Sequence, residues 1–158
     1  MPFDRRSMIA MMLAGTVAAA TSVARAAVTF TLTDAQWRKK LSPEAYQVMR
    51  HAGTERPFTS PLLNEHRTGQ FACAGCDLPV FGSHTKFDSG TGWPSFWQPL
   101  AHAVETTTDR GFGEVRTEVH CMRCASHLGH VFDDGPKPTG LRYCMDGVAL
   151  TFHAGAKS

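Results

Sequence analysis

The sequence predicts a mainly-β chain, an antiparallel sheet core preceded by two short helices. Three observations carry that expectation. From Gly69 onward the chain breaks into short β-prone runs separated by Gly, Pro and Asp. Between those runs no stretch has the length of a crossover helix, which a parallel sheet would need. The helix-start signals are confined to residues 33–44.

Taken in order, residues 1–26 read as an export signal. Arg5-Arg6 precede an uncharged Ala- and Met-rich run from Met8 to Ala24, and Ala24-Arg25-Ala26 offers a small-x-small cleavage site. At 17 residues, diluted by Thr16, Thr21 and Ser22, the run falls short of the roughly 20 that span a bilayer. The paired arginines favour twin-arginine export over the general secretory route. The expected mature domain is therefore 27–158, in the periplasm or secreted, with no stable membrane insertion after cleavage.

The full chain carries 16 Lys+Arg and 14 Asp+Glu; removing Arg5, Arg6, Arg25 and Asp4 with the signal leaves 13 of each. A neutral mature chain gives no basic patch for nucleic acid or anionic lipid. Its 132 residues suit one domain with one core.

Thr33-Asp-Ala-Gln36 has the form of a capping box and starts a first helix near Asp34. Ser42-Pro43-Glu44 starts a second, with Gly53 available to end it. The two prolines of Thr54–Pro61 then favour an extended segment. Strands are expected at Gln70–Cys73, Val80–Phe81, Ala103–Thr107, Glu114–His120, Arg142–Met145 and Val148–His153, with Val115, Thr117 and Val119 sharing one face of the fourth.

Five cysteines divide into two C-x-x-C pairs and one remainder. Cys73-Ala-Gly-Cys76 and Cys121-Met-Arg-Cys124 are separated by 44 residues. Each two-residue spacer lets both sulfurs turn toward one ion, and four thiolates complete a closed tetrahedral Zn²⁺ site. Such an ion clips distant parts of the chain together. The competing reading is a disulfide or redox-active C-x-x-C in an oxidising compartment.

The remaining Cys144 lies in Gly140-Leu-Arg-Tyr-Cys-Met-Asp-Gly147. Arg142, two residues away on the same strand face, would favour the thiolate that a nucleophile needs. His127 and His130 can supply protons or hydrogen bonds to one side of a pocket. Earlier in the chain, Phe87-Asp-Ser-Gly-Thr-Gly-Trp-Pro-Ser-Phe-Trp97 places Trp93, Phe96 and Trp97 on a Gly/Pro-shaped loop, where aromatics could wall a small apolar pocket for a methyl or thioether group.

Gly90-Thr-Gly-Trp-Pro-Ser-Phe96, Ser126-His-Leu-Gly-His-Val-Phe132, Asp134-Gly-Pro-Lys-Pro-Thr-Gly140 and Arg142-Tyr-Cys144, with both C-x-x-C pairs, together resemble the B-class peptide methionine sulfoxide reductases from about Leu32 to Phe152. The resemblance implies two antiparallel sheets in a compact barrel-like core with peripheral helices, one structural zinc, and reduction of the R epimer of methionine sulfoxide in proteins and peptides. It implies Cys144 as nucleophile, Trp93 as the methyl-contacting aromatic, and His127 and His130 as acid and hydrogen-bonding groups. Arg142 and Asp134 match further pocket residues, and Phe96 and Phe132, which close two of the motifs, join the expected substrate site.

Two departures from the family pattern matter. Asp146 stands where many members have Asn, and its charge would alter sulfoxide binding or raise the Cys144 pKa. Thr91 stands where many have a resolving cysteine, so the expected reductant is an external thiol, thioredoxin-like or of low molecular weight. Two other classes compete: a non-catalytic zinc-binding module with an inert Cys144, and a thiol–disulfide oxidoreductase working through a C-x-x-C pair.

Overall fold

The computed structural model describes residues 28–155. The export signal expected at 1–26 lies outside them. Among the described residues, no helix is long and apolar enough to cross a membrane.

Both helices form where their caps are written. The first, α1 (Asp34–Lys40), opens on Thr33, whose hydroxyl accepts from the Gln36 N–H while the Gln36 side chain returns to the Thr33 N–H. The second, α2 (Pro43–His51), opens on Ser42 with Pro43 in its first turn. It ends one residue before the expected glycine, on Ala52 in the left-handed conformation. Trp37, Tyr46, Val48 and Met49 turn inward from these helices, and Asp34 accepts a hydrogen bond from the Tyr46 hydroxyl across the pair.

Nine strands follow: β1 (Gly69–Cys73), β2 (Pro79–Gly82), β3 (Lys86–Phe87), β4 (Ser95–Phe96), β5 (Val104–Asp109), β6 (Arg116–Cys121), β7 (His127–Phe132), β8 (Arg142–Met145) and β9 (Leu150–Ala154). They form two antiparallel sheets, β2-β1-β9 and β3-β4-β8-β7-β6-β5. The sheets meet through aromatic rings: Phe96 of the large sheet stacks on Phe81 at 4.4 Å and meets Phe71 edge-on at 4.9 Å. The expected two-sheet core is present. No strand pairing closes it into a barrel among the described residues.

Five of the six expected strands appear with one or both ends shifted by one to two residues, and Arg142–Met145 matches at both ends. The expected Val115–Thr117–Val119 face is shorter than alternation suggests. Val115 precedes β6 and is 69% exposed, whereas Val119 is fully buried. The sequence reading missed β3, β4 and β7. Two are only two residues long, and β7 is broken in appearance by Gly129 and two histidines. Gly129 belongs there because the sheet closes on it: its φ is +146°, and a Cβ at that position would come within 2.2 Å of the Cys144 carbonyl oxygen.

Candidate active site and cysteine cluster

The two C-x-x-C turns are built alike, each as the bend of a hairpin: β1 to β2 and β6 to β7. In the first, Asp77 N–H donates to Cys73 O and Cys73 N–H to Leu78 O; in the second, Ala125 N–H donates to Cys121 O and Cys121 N–H to Ser126 O. Asp77 and Ala125, the residues just past each pair, take the left-handed conformation, with φ of 58° and 55°. Tight turns of this kind aim both sulfurs to one side.

All four sulfurs lie within 4.8 Å of one another, and all four residues are buried. Cys73 Sγ is 3.6 Å from Cys124 Sγ, and Cys76 Sγ is 3.5 Å from Cys121 Sγ. Zinc–sulfur bonds of about 2.3 Å in a tetrahedron place sulfurs roughly 3.8 Å apart. The cluster fits that spacing, and its short contacts run between the pairs rather than within them, which a C-x-x-C disulfide would require. Gly75 lies against Met49 and Trp37, while Arg50 of α2 donates to Ser126 Oγ at 3.1 Å. The helices thus cover the cluster.

Cys144 sits mid-strand in β8, opposite Ser95 of β4 and His130 of β7. It opens into a cleft of ≈ 110 Å³ lined by Thr54, Trp93, Arg116, Gly129, His130, Phe132, Cys144 and Asp146. Five residues expected at the site therefore converge: Trp93, His130, Phe132, Cys144 and Asp146. Thr91 Oγ1 lies 3.8 Å from the Cys144 sulfur, so the residue at the position expected for a resolving cysteine stands beside Cys144.

The other expected residues act from outside the wall. Arg142 forks onto Asp134 with two hydrogen bonds of 2.8 Å and lies over the Phe132 ring at 4.5 Å. Asp134 is thus the partner of Arg142, and it does not line the cleft. Phe96 is fully buried between the sheets, because β4 turns it toward Phe81 and Phe71. Its place is in the core and not in the pocket. Trp97 likewise stays off the cleft, its ring edge against His84.

Burial pushes the Cys144 thiol above its ordinary value; Thr91, Arg142 and Ser95 pull it down and Asp146 pushes it further up. Arg142 has the expected sign but does not prevail, because removing a thiolate from water costs more than one partly shielded cation returns.

His127 is 3% exposed and stands between two carboxylates, with Nδ1 2.5 Å from Glu118 Oε1 and Nε2 3.5 Å from Asp146 Oδ2. The second contact is an ion pair at long range, since Nε2 has no hydrogen-bond partner of good geometry. Burial works against its charge, but Asp146 and Glu118 together outweigh it and hold the imidazole above its ordinary value. His130 moves the other way. Burial lowers it more than its 3.0 Å hydrogen bond to Asp109 raises it. The rings are 5.3 Å apart, a charge-favouring histidine behind a charge-disfavouring one.

Sequence reading missed Thr54, Glu55, Asp109, Arg116 and Glu118. Arg116 and Glu118 carry a signal in hindsight, a charged residue at every second position of a strand beside a C-x-x-C pair. Asp109 and Glu55 carry none, because only the folded chain brings them to the site.

Comparison with known proteins follows the same outline. Residues 41–154 match the family model of the SelR domain. The chain is 58% identical over 122 residues to the peptide methionine sulfoxide reductase MsrB of Thiobacillus denitrificans, covering 77% of this chain and 92% of that one. It is 57% identical over 118 residues to the protein of the same name from Pseudomonas putida, covering 74% and 89%. With that of Thioalkalivibrio sulfidiphilus it shares 53% over 127 residues, covering 80% and 93%.

Proposed function

The chain belongs to the SelR-domain family of B-class peptide methionine sulfoxide reductases, and from that premise we propose how its own residues carry out the reaction. The activity is that of a peptide-methionine (R)-S-oxide reductase, an oxidoreductase that returns methionine sulfoxide in proteins to methionine. The observation that supports the reading most is the convergence of Cys144, Trp93, His130 and Asp146 on one small cleft.

The Cys144 thiolate attacks the sulfoxide sulfur while a proton reaches the sulfoxide oxygen. The S–O bond breaks, methionine leaves reduced by two electrons, and the oxygen remains on Cys144 as a sulfenic acid. His130 faces the cleft and passes the proton to the oxygen; His127, buried behind it and held charged by Asp146 and Glu118, supplies the positive field. Trp93 and Phe132 give the methyl group an apolar wall. An external thiol then attacks the sulfenic acid, releasing water and leaving a mixed disulfide that a second thiol reduces. Thr91 cannot perform that step, and the other four thiols are buried together away from the cleft.

The cysteine cluster is the place for one structural Zn²⁺, held by Cys73, Cys76, Cys121 and Cys124. Bound there, the ion would lock two hairpins that contribute to different sheets. Export is part of the same proposal. Residues 1–26 carry the protein to the periplasm, by the twin-arginine route, where a thioredoxin-like protein or small thiol is its reductant.

The deciding assay offers R- and S-sulfoxide peptides separately to the purified protein. The R epimer is reduced with an external thiol and Cys144 becomes a sulfenate or mixed disulfide, detected by mass spectrometry. Reduction of S alone, or an internal disulfide from Cys144, would refute the proposal.

Asp146 predicts a displaced pH profile. The thiolate form of Cys144 grows as pH rises, and the charged form of His127 is lost as pH rises through its elevated pKa, so kcat/KM is bell-shaped. Asp146 raises both groups. Asp146→Asn therefore moves both limbs to lower pH, by about one unit. Opposite movement of the limbs, or none, would show that Asp146 does not act through charge.

A further inference from the structure

We propose that Glu55 is the positioning residue of the pocket, joining the Trp93 wall to the Asp146–Gly147 wall and so setting the width of the gap above Cys144. The inference rests on the activity proposed above and deepens it, since gap width selects which groups on the sulfoxide sulfur are accepted.

Glu55 lies in the irregular segment after α2, is 3% exposed, and is 91 residues from Asp146. All three of its polar groups are used. Its backbone N–H donates to Asp146 Oδ1 at 2.8 Å, and its carbonyl accepts from Trp93 Nε1 at 2.9 Å. Its carboxylate accepts from Gly147 N–H at 2.5 Å, with Val148 N–H also bearing on it. The turn Gly147–Ala149 has Asp146 at its cap position, yet the Asp146 side chain does not cap it. The donor left over is served by Glu55, from a distant part of the chain.

Contact along this seam leaves no slack. A Cβ on Gly147 would come within 1.9 Å of Ser60 Oγ and 3.1 Å of Glu55 Oε2. Three residues beyond Glu55, Phe58 N–H donates to Gly92 O at 2.8 Å, next to Trp93. Thr54, the neighbour on the other side, lines the cleft itself. Segment 54–60 is a strap between the two walls.

The side chain matters even though two of the bonds are made by backbone. Any residue has an N–H and a C=O, but they meet Asp146 and Trp93 only while the strap is pinned, and the pin is the carboxylate on Gly147. Burial raises the Glu55 pKa and Asp146 adds to the effect. A buried carboxyl kept beside another carboxylate, against that cost, is held for its geometry.

The test compares Glu55→Ala, Glu55→Asp and Glu55→Gln in the full chain. Asp keeps the charge but is one methylene too short to reach Gly147; Gln keeps length and an acceptor oxygen but loses the charge. Rates are measured on (R)-methionine sulfoxide and ethyl-substituted sulfoxide peptides. A 5-fluorotryptophan label reports the Trp93 environment by ¹⁹F NMR. Ala and Asp lower kcat/KM for the methyl substrate about 10- to 100-fold, raise the ethyl-to-methyl ratio about tenfold, and shift or broaden the Trp93 signal. Gln stays within about threefold of wild type with its signal in place. Unchanged selectivity and signal in Ala and Asp, or a Gln variant as damaged as Ala, would overturn the inference. Wild-type inactivity on both epimers would instead reject the function, and the Trp93 signal would still decide the role of Glu55.

Discussion

Cys144→Ser abolishes sulfoxide reduction, with kcat/KM on an R-sulfoxide peptide falling at least about 10⁴-fold. A hydroxyl at that position stays protonated: the side chains that hydrogen-bond the sulfur, Thr91 and Ser95, are not bases, and the charge of Asp146 disfavours an anion there. Serine also cannot take up the sulfoxide oxygen as a sulfenic acid. The exchange replaces one half-buried sulfur by oxygen, so metal content and the thermal transition stay near wild type. That pairing of results separates the reductase from a metal-binding module in which Cys144 is inert. If the serine protein retains measurable turnover with external thiol, Cys144 is not the nucleophile.

Cys76→Ser, or treatment with a strong metal chelator, unfolds the domain. Structural zinc contributes apparent binding free energies of about 10–16 kcal/mol in small domains, against total stabilities of about 5–15 kcal/mol. The four sulfurs sit where two hairpins of different sheets come together, under Trp37, Met49 and Arg50 of the helices. Without an ion, four buried thiols lie within 4.8 Å of one another with nothing to compensate them. Circular dichroism with and without chelator reads the effect, with metal content followed by mass spectrometry. A chain that survives chelator but unfolds with reductant would hold disulfides instead, and the cluster assignment would fall.

Much of this was legible from residue order. Thr33 and Ser42 mark their helices because a cap is a local bargain between one side chain and the next turn. The pairing of four cysteines is likewise local, since a two-residue spacer alone aims two sulfurs together. Cys144 stood out by subtraction. Aromatic character at Phe96, by contrast, could not tell core from cleft. The answer depends on which face of β4 meets the second sheet, and a two-residue strand shows no alternation to read.

The sequence by itself determined the sheet-rich class and set four paired cysteines apart from the unpaired Cys144, because each of these follows from residue type at short spacing. Only the tertiary structure decided the electrostatics around Cys144 and the shape of its pocket. Burial, not the nearby Arg142, sets the thiol. The charge on His127 depends on Glu118 and Asp146 arriving from different strands and turns. Trp93 and Asp146 face each other through Glu55, which the chain places about ninety residues before Cys144. Charges and walls act through space at a few ångströms, and that proximity exists only once the sheets have closed on each other.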